Sequence, residues 1–390
     1  MIFRLLLFLC ANDFFWYGSY FIVLLLLYNI VIDKKFAVIK INSITFICLI
    51  LASISYGVLL LYNDFYTTLS KSTFFLRVIG PPSLFYIGYS RGFKGYLSLK
   101  KDIMIIVFAI FTHGFLNVII NRNVDVLLLQ GRYYQDIYRG IVSATLQNLM
   151  FIFTSALLFY FLVYEKQKKM KILGIFTGIF GIYGSINNAS RTILVLVIFI
   201  FFICLFFNLY LKYGLLGVIR AGVIMSVLIF LAIVVVRFNL FGIQEWYTKT
   251  PLGRRMQGEL VEADLLKNLR WTYAKQILEM ILDYPLGKIP SEHYAHNFWI
   301  DIAKETGILP FVFYGLFVIL SLKNVFIYIR KNYLKKERII FIGSLIFISV
   351  VIFFIEPIMQ ASPLTFGIYC FLIGGVLSLS KIQKIVRKNF

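Results

Sequence analysis

Charge is scarce in this chain. Of 390 residues only 15% are Asp, Glu, Lys or Arg, against about a quarter in soluble globular domains. With 60% hydrophobic residues and a mean hydropathy of +0.85, too little polar sequence remains to coat a water-soluble fold. Acids are scarcer still: 18 Asp and Glu face 39 Lys and Arg, for a net charge of +21. In a soluble protein that excess would point to nucleic acid. Here the cations gather in short loops between apolar runs, which is the signature of membrane topology, and nucleic acid drops out as a partner. The four cysteines, Cys10, Cys48, Cys204 and Cys370, lie in or beside apolar runs. Their spacing excludes a sequence-encoded metal knuckle and a disulfide framework. Residues 1–10 offer one Arg4 and no small-residue cleavage site, so no removable signal is expected.

What is present is apolar sequence in long runs. Eleven can cross a bilayer, near 15–32, 43–61, 73–90, 103–120, 145–164, 172–187, 191–211, 216–236, 307–329, 338–356 and 363–380. Residues 2–11 could form a short twelfth. The expected fold is therefore an all-α polytopic membrane protein of 11–12 transmembrane helices, forming a single integral membrane domain over 1–390. Loops 33–40, 91–102, 165–171 and 330–338 and the tail carry Lys and Arg clusters, and all fall on one side of the eleven spans. The positive-inside rule makes that side cytoplasmic and the C-terminus with it. The opposite side then holds 121–144, the tight turn 188–190 and one large extracytoplasmic loop, 238–306.

That loop carries acids and bases in near-equal number, so orientation charge does not explain it. Long external loops of this kind carry function. Two amphipathic helices are legible in it. In "ADLLKNLRWTYAKQILEMILDYPLG", Leu265, Leu269, Tyr273, Ile277 and Met280 share a stripe, with an end expected near Asp283 before Pro285 and Gly287. In "NFWIDIAKETG", Phe298, Trp299, Ile302 and Ala303 share a face and Gly307 is a natural C-cap.

Three places concentrate chemistry-bearing residues. In "SINNASRTILVLVIF", Ser190 is placed to cap a helix opening at Arg191. Backbone N–H groups, helix dipole and guanidinium there make an anion site; the alternative is an arginine reaching to lipid headgroups. Arg254, Arg255 and Arg270 add guanidinium forks suited to phosphate oxygens, or to a solvated charged face. Of three histidines, His293 and His296 sit together before Asn297. An imidazole can take a proton at working pH. The pair lacks a third ligand beyond Glu292, so no metal is expected. His113 is ionisable and lies within a span or at its end.

In order along the chain, "NNASRTILVLV", "RRMQGEL…NLRWTYAKQILEMILDYPLG" and "AHNFWIDIAKETGILPF" resemble the O-antigen polymerase and O-antigen ligase superfamily of membrane glycosyltransferases. The likeness runs over roughly 140–380. It rests on Ser190–Arg191, Arg270–Trp271, Pro285–Leu286–Gly287, His296–Asn297 and Glu305–Gly307, with a weaker fit at "SATLQNLMF".

Such a resemblance implies a metal-independent, inverting glycosyltransferase of the GT-C type with no cofactor. It would sit in the bacterial cytoplasmic membrane with an extracytoplasmic active site. Its substrates would be undecaprenyl-diphosphate-linked glycans in the lipid bilayer, and a chain-length regulator and a flippase of the same pathway would be its partners. His296, Arg191 and Arg270 are then the expected catalytic residues. Arg254, Arg255, Ser190, Asn297, Glu305 and His293 are the expected substrate-binding ones, with Asn297 or Glu305 orienting the base. A polymerase joining repeat units is the first reading and a ligase moving finished chains to lipid A core or another acceptor the second. A flippase is a third, disfavoured by the few mid-span charges and the absence of an internal repeat.

Overall fold

The computed structural model describes residues 1–32, 41, 43–65, 69–124, 133–138, 140–257, 272–290 and 297–388. Among these, nine helices are long and apolar enough to cross a membrane: Ile44–Tyr62, Tyr96–Ile120, Ala144–Val163, Lys168–Asn187, Arg191–Tyr213, Leu215–Arg237, Ile308–Lys331, Lys336–Ile355 and Pro363–Ile382. The chain is an all-α polytopic membrane protein, as lipid demands of a backbone that must satisfy its own polar groups. One short antiparallel hairpin is added, Tyr133–Gln135 pairing Ile141–Ser143 with Tyr134 opposite Val142.

Two expected spans are interrupted rather than continuous. Run 73–90 divides into helices Lys71–Val78 and Gly80–Gly92. Pro81 and Pro82, lacking N–H donors, open the second helix rather than continue the first. Run 15–32 begins only at Gly18, because Asp13, Phe15 and Trp16 adopt left-handed backbone ahead of it.

The chain forms two compact units. The first comprises Met1–Ile110, Asp264–Lys331 and Ser349–Phe390. Within it, helix Pro363–Lys388 lies directly on helix Gly80–Gly92. The approach is backbone to backbone: a Cβ on Gly88 would stand 2.0 Å from the Phe371 carbonyl oxygen, and one on Gly374 2.1 Å from that of Phe85. Small residues permit such contacts between membrane helices. An aromatic core of Phe298, Tyr314, Phe317, Phe353, Phe366 and Tyr369 fills the space beside them.

The second unit comprises Phe111–Ala263 and Asn332–Ile348. Gly174, Gly178, Gly181 and Gly184 form a stripe on helix Lys168–Asn187, and Phe161, Leu158, Ser155 and Phe151 lie against it. Helix Leu215–Arg237 has only 6% of its apolar window buried, the exposure expected of a lipid-facing helix.

Candidate functional site

Two polar centres stand out, one in each unit. In the second unit, helix Lys168–Asn187 turns into helix Arg191–Tyr213 through three residues. Ala189 is left-handed with φ 52°, and the Ser190 N–H donates to the Ser185 carbonyl at 2.9 Å. Ser190 occupies the N-cap position, but its hydroxyl makes no capping hydrogen bond. The expected side-chain cap is therefore corrected: the tight turn is closed by main-chain hydrogen bonds instead.

Helix Pro251–Met256 carries two arginines to this turn. Thr250 caps it, accepting from the Gly253 N–H at 3.1 Å, and proline takes its first position. Arg255 is buried and Nη1 donates to the Ala189 carbonyl at 2.6 Å. It therefore fixes the turn that holds Arg191. The half-buried Arg191 points Nη1 at the Met256 sulfur, 3.6 Å away.

Arg254 faces a cleft of about 360 Å³. Arg122, Asn121, Asn123, Asn187, Asn188, Tyr134 and Tyr183 are among its other lining residues. A polar ladder builds one wall. His113 and Asn117 lie four residues apart on one face of helix Tyr96–Ile120, and Asn121, just past its end, continues that spacing with its N–H on the Asn117 carbonyl at 3.1 Å. His113 Nε2 lies 2.6 Å from Asp136 Oδ2. Asn117 Nδ2 donates to the same oxygen at 3.0 Å and to Gln147 Oε1 at 3.1 Å, while its Oδ1 accepts from Ile137 N–H at 2.9 Å. Asn121 grips Gln135 twice, donating to its carbonyl at 2.7 Å and accepting its N–H at 3.0 Å. The ladder thus pins the strand that presents Tyr134 to the cleft. Burial pushes the Asp136 carboxyl up, but the hydrogen bond and charge of His113, with the Tyr138 N–H and Asn117 amide, outweigh it and hold the group below the usual carboxylate range.

In the first unit, helix Phe298–Thr306 is buried on nearly every side, carboxylates included. The expected single buried face is thus exceeded, because neighbours pack around the whole helix. Asn297 is its cap: Oδ1 accepts from Trp299 N–H at 2.9 Å and Ile300 N–H at 3.3 Å, and Nδ2 donates to the Phe354 carbonyl at 2.9 Å. Glu305 is 7% exposed. It accepts from the Tyr56 hydroxyl at 2.8 Å and from Gln360 Nε2 at 3.0 Å, and Arg77 Nη1 stands 3.5 Å away. Asp301, one turn earlier, is 2% exposed and its Oδ2 has no hydrogen-bond partner among the described residues. Burial drives its carboxyl well above the usual range, Glu305 adding to the effect and Lys304 and Arg77 opposing it.

The segments Pro285–Leu286–Gly287 and Glu305–Thr306–Gly307 meet here through main-chain atoms. The Ile308 N–H donates to the Pro285 carbonyl at 3.0 Å, and the Ile289 N–H to that of Lys304 at 3.2 Å. Asn63 Nδ2 donates to the Leu286 carbonyl at 2.8 Å and to that of Glu305 at 3.0 Å. Gly307 caps the helix with φ 75°, as expected, and a Cβ on it would lie 2.1 Å from the Pro285 oxygen. The preceding helix spans 272–280, with Ile277 buried and Met280 against the same apolar cluster. Arg270, His293 and His296, with the stripe residues Leu265 and Leu269, lie outside the described residues.

Sequence reading passed over Arg122, Asp136, Tyr56 and Arg77. The four-residue recurrence of His113, Asn117 and Asn121 in an apolar run was a readable signal for the first two. Arg77 had the signal of a cation inside a hydrophobic stretch.

No protein-family model matches the chain, and no curated protein matches its sequence.

Proposed function

We propose that the protein is a polysaccharide polymerase that joins undecaprenyl-diphosphate-linked oligosaccharide repeat units at the outer face of the bacterial cytoplasmic membrane. It would be a member of the O-antigen polymerase superfamily with a GT-C-like arrangement. The observation that carries this reading is the cleft beside the Asn187–Arg191 turn, with Arg122 and Arg254 in its lining. Guanidiniums lining a cleft suit a phosphate-bearing ligand, whose oxygens they can bind in pairs of hydrogen bonds. The turn and the cleft occupy the end of the second unit opposite its lysine-rich loop 165–171, which the positive-inside rule assigns to the cytoplasm.

The chemistry follows from the leaving group. A hydroxyl of the acceptor sugar attacks the anomeric carbon of the donor glycan from the face opposite the diphosphate. A C–O bond to the acceptor forms, the C–O bond to the diphosphate breaks, and the anomeric configuration inverts. The departing undecaprenyl diphosphate takes the electron pair, and arginines neutralise its charge. Arg191, Arg254 and Arg270 are assigned that task, with Arg255 holding the turn. The acceptor's proton passes to His296.

The test is a deletion strain in which carrier-linked and surface glycans are sized. Single repeat units with no ladder support the polymerase. Full-length chains stranded on the carrier would replace it with the ligase reading, and units trapped on the cytoplasmic side would replace it with a flippase.

A further inference from the structure

Helices Arg191–Tyr213 and Leu215–Arg237 of the second unit are joined through Gly214 alone. Gly214 takes φ 59°, and a Cβ on Gly217 would stand 2.1 Å from the Leu209 carbonyl oxygen. The two helices therefore leave the turn in backbone contact, which small residues permit, and the side chains around it stand on a fixed frame. This turn lies at the far end of helix Arg191–Tyr213 from Ser190, on the same side as loop 165–171. The positive-inside rule assigns that side to the cytoplasm.

Three side chains gather at the turn. The Arg220 guanidinium carbon lies 4.4 Å from the centroid of the Tyr213 ring, and Lys212 Nζ lies 4.9 Å from the same centroid. Both cations are exposed. Among the described residues neither has an ion pair. The ring attracts each of them, yet the two charges repel one another. An anion held between them removes that repulsion.

Arg220 stands five residues into its helix, about 8 Å along the axis from Leu215. It reaches back to the turn, as cations near a membrane surface do. Leu216, Arg220, Val223, Val227 and Phe230 recur at spacings of four and three and so share one face. The four apolar members are all exposed. Positive charge at the depth of the headgroups thus caps an apolar stripe that runs toward the middle of the membrane. A free phosphate matches the charge and leaves the stripe. A neutral lipid matches the stripe and leaves the charge. A lipid with a phosphate head and no cation of its own matches both.

We propose that the Lys212–Tyr213–Arg220 turn is a binding site for one anionic glycerophospholipid of the facing leaflet. Lys212 and Arg220 hold its phosphate, Tyr213 keeps the two cations together, and an acyl chain lies along Leu216, Val223, Val227 and Phe230. The site does not depend on the polymerase reading.

The test uses the full chain purified in a neutral detergent, with native mass spectrometry counting retained lipid. Dioctanoyl phosphatidylglycerol is titrated against wild type, Arg220→Gln, Lys212→Gln and Tyr213→Leu. Lys169→Gln is the control, an exposed lysine at the same end of the unit. One lipid is expected to bind saturably, and each lost cation to weaken it about fivefold. Tyr213→Leu removes no charge and should still weaken binding, because the cations lose the ring that gathers them. Lys169→Gln should change nothing. Equal weakening by Lys169→Gln, or full binding by Tyr213→Leu, would mean diffuse attraction to a positive surface and overturns the site. Dioctanoyl phosphatidylcholine bound as tightly as the glycerol lipid overturns the requirement for a net negative head. Inorganic phosphate that displaces the lipid at equal concentration overturns the lipid in favour of a bare anion.

Discussion

Arg77 and Glu305 form a buried ion pair at 3.5 Å, with side chains only 6% and 9% exposed. Glu305 belongs to the "ETG" segment, while Arg77 comes from the hydrophobic stretch that two prolines divide. Removing one partner leaves the other charge buried without compensation, at a typical cost of about 3–5 kcal/mol. Arg77→Met alone is therefore expected to lower the thermal midpoint of the purified protein sharply. The double variant Arg77→Met with Glu305→Leu should recover part of the loss. A double variant no more stable than Arg77→Met would show that the pair is not what holds this centre.

The main-chain clasp makes a second prediction. Gly307 sits at φ 75° with no room for a methyl group beside the Pro285 carbonyl. Gly307→Ala should therefore reduce folded yield and thermal stability. Gly315, within helix Ile308–Lys331, has nothing within 4 Å of its Cβ position. Gly315→Ala should be neutral or stabilising, since alanine is favoured by about 1 kcal/mol inside a helix. Fluorescence-monitored melting of the two variants checks both; equal midpoints would contradict the clasp.

Asp136 gives a pH dependence with a definite sign. Its carboxyl titrates below the usual range when folded. It therefore contributes stability that is present above the unfolded value, about 3.9, and lost as pH falls through the depressed folded one. Asp136→Asn should lower the melting midpoint at pH 7, and the gap to wild type should close toward pH 3. A gap that stays constant across that range would mean that the carboxylate charge does not secure the hairpin.

Arg191 and His296 are tested by polymer length in the complemented deletion strain. Arg191→Lys should shorten or abolish the ladder, because a point charge does not replace a two-pronged guanidinium. His296→Ala should abolish it at unchanged protein level. A wild-type ladder in the lysine variant would return Arg191 to the lipid headgroups, and one in the alanine variant would remove His296 as the base.

The helices were legible in sequence because lipid leaves an apolar run few alternatives. Nine runs became long helices at nearly the expected bounds. The two exceptions carried their own warnings, Pro81–Pro82 and the polar Asn12–Asp13 step. Local chemistry was legible in part: Gly307 ended the helix as expected, whereas Asn297, read as a substrate-binding residue, serves as the helix N-cap. The Ser190 cap misled because the Ser185–Ser190 main-chain hydrogen bond closes the turn. What stayed hidden was pairing over distance. Nothing local in "TFFLRVIG" announces that Arg77 meets a glutamate more than two hundred residues away, nor that Asn121 will clamp Gln135. Such partners are chosen by packing, which periodicity does not encode.

The union of Pro285–Gly287 with Glu305–Gly307 rests on carbonyls, N–H groups and two glycines, with Asn63 adding a side-chain stitch. Main-chain atoms do not change when residues are substituted. Loop residues on either side of that joint can therefore drift, lengthen or exchange one polar surface for another while the frame beneath them keeps its shape. A protein built this way can be retuned to a new partner molecule without having to be refolded around it.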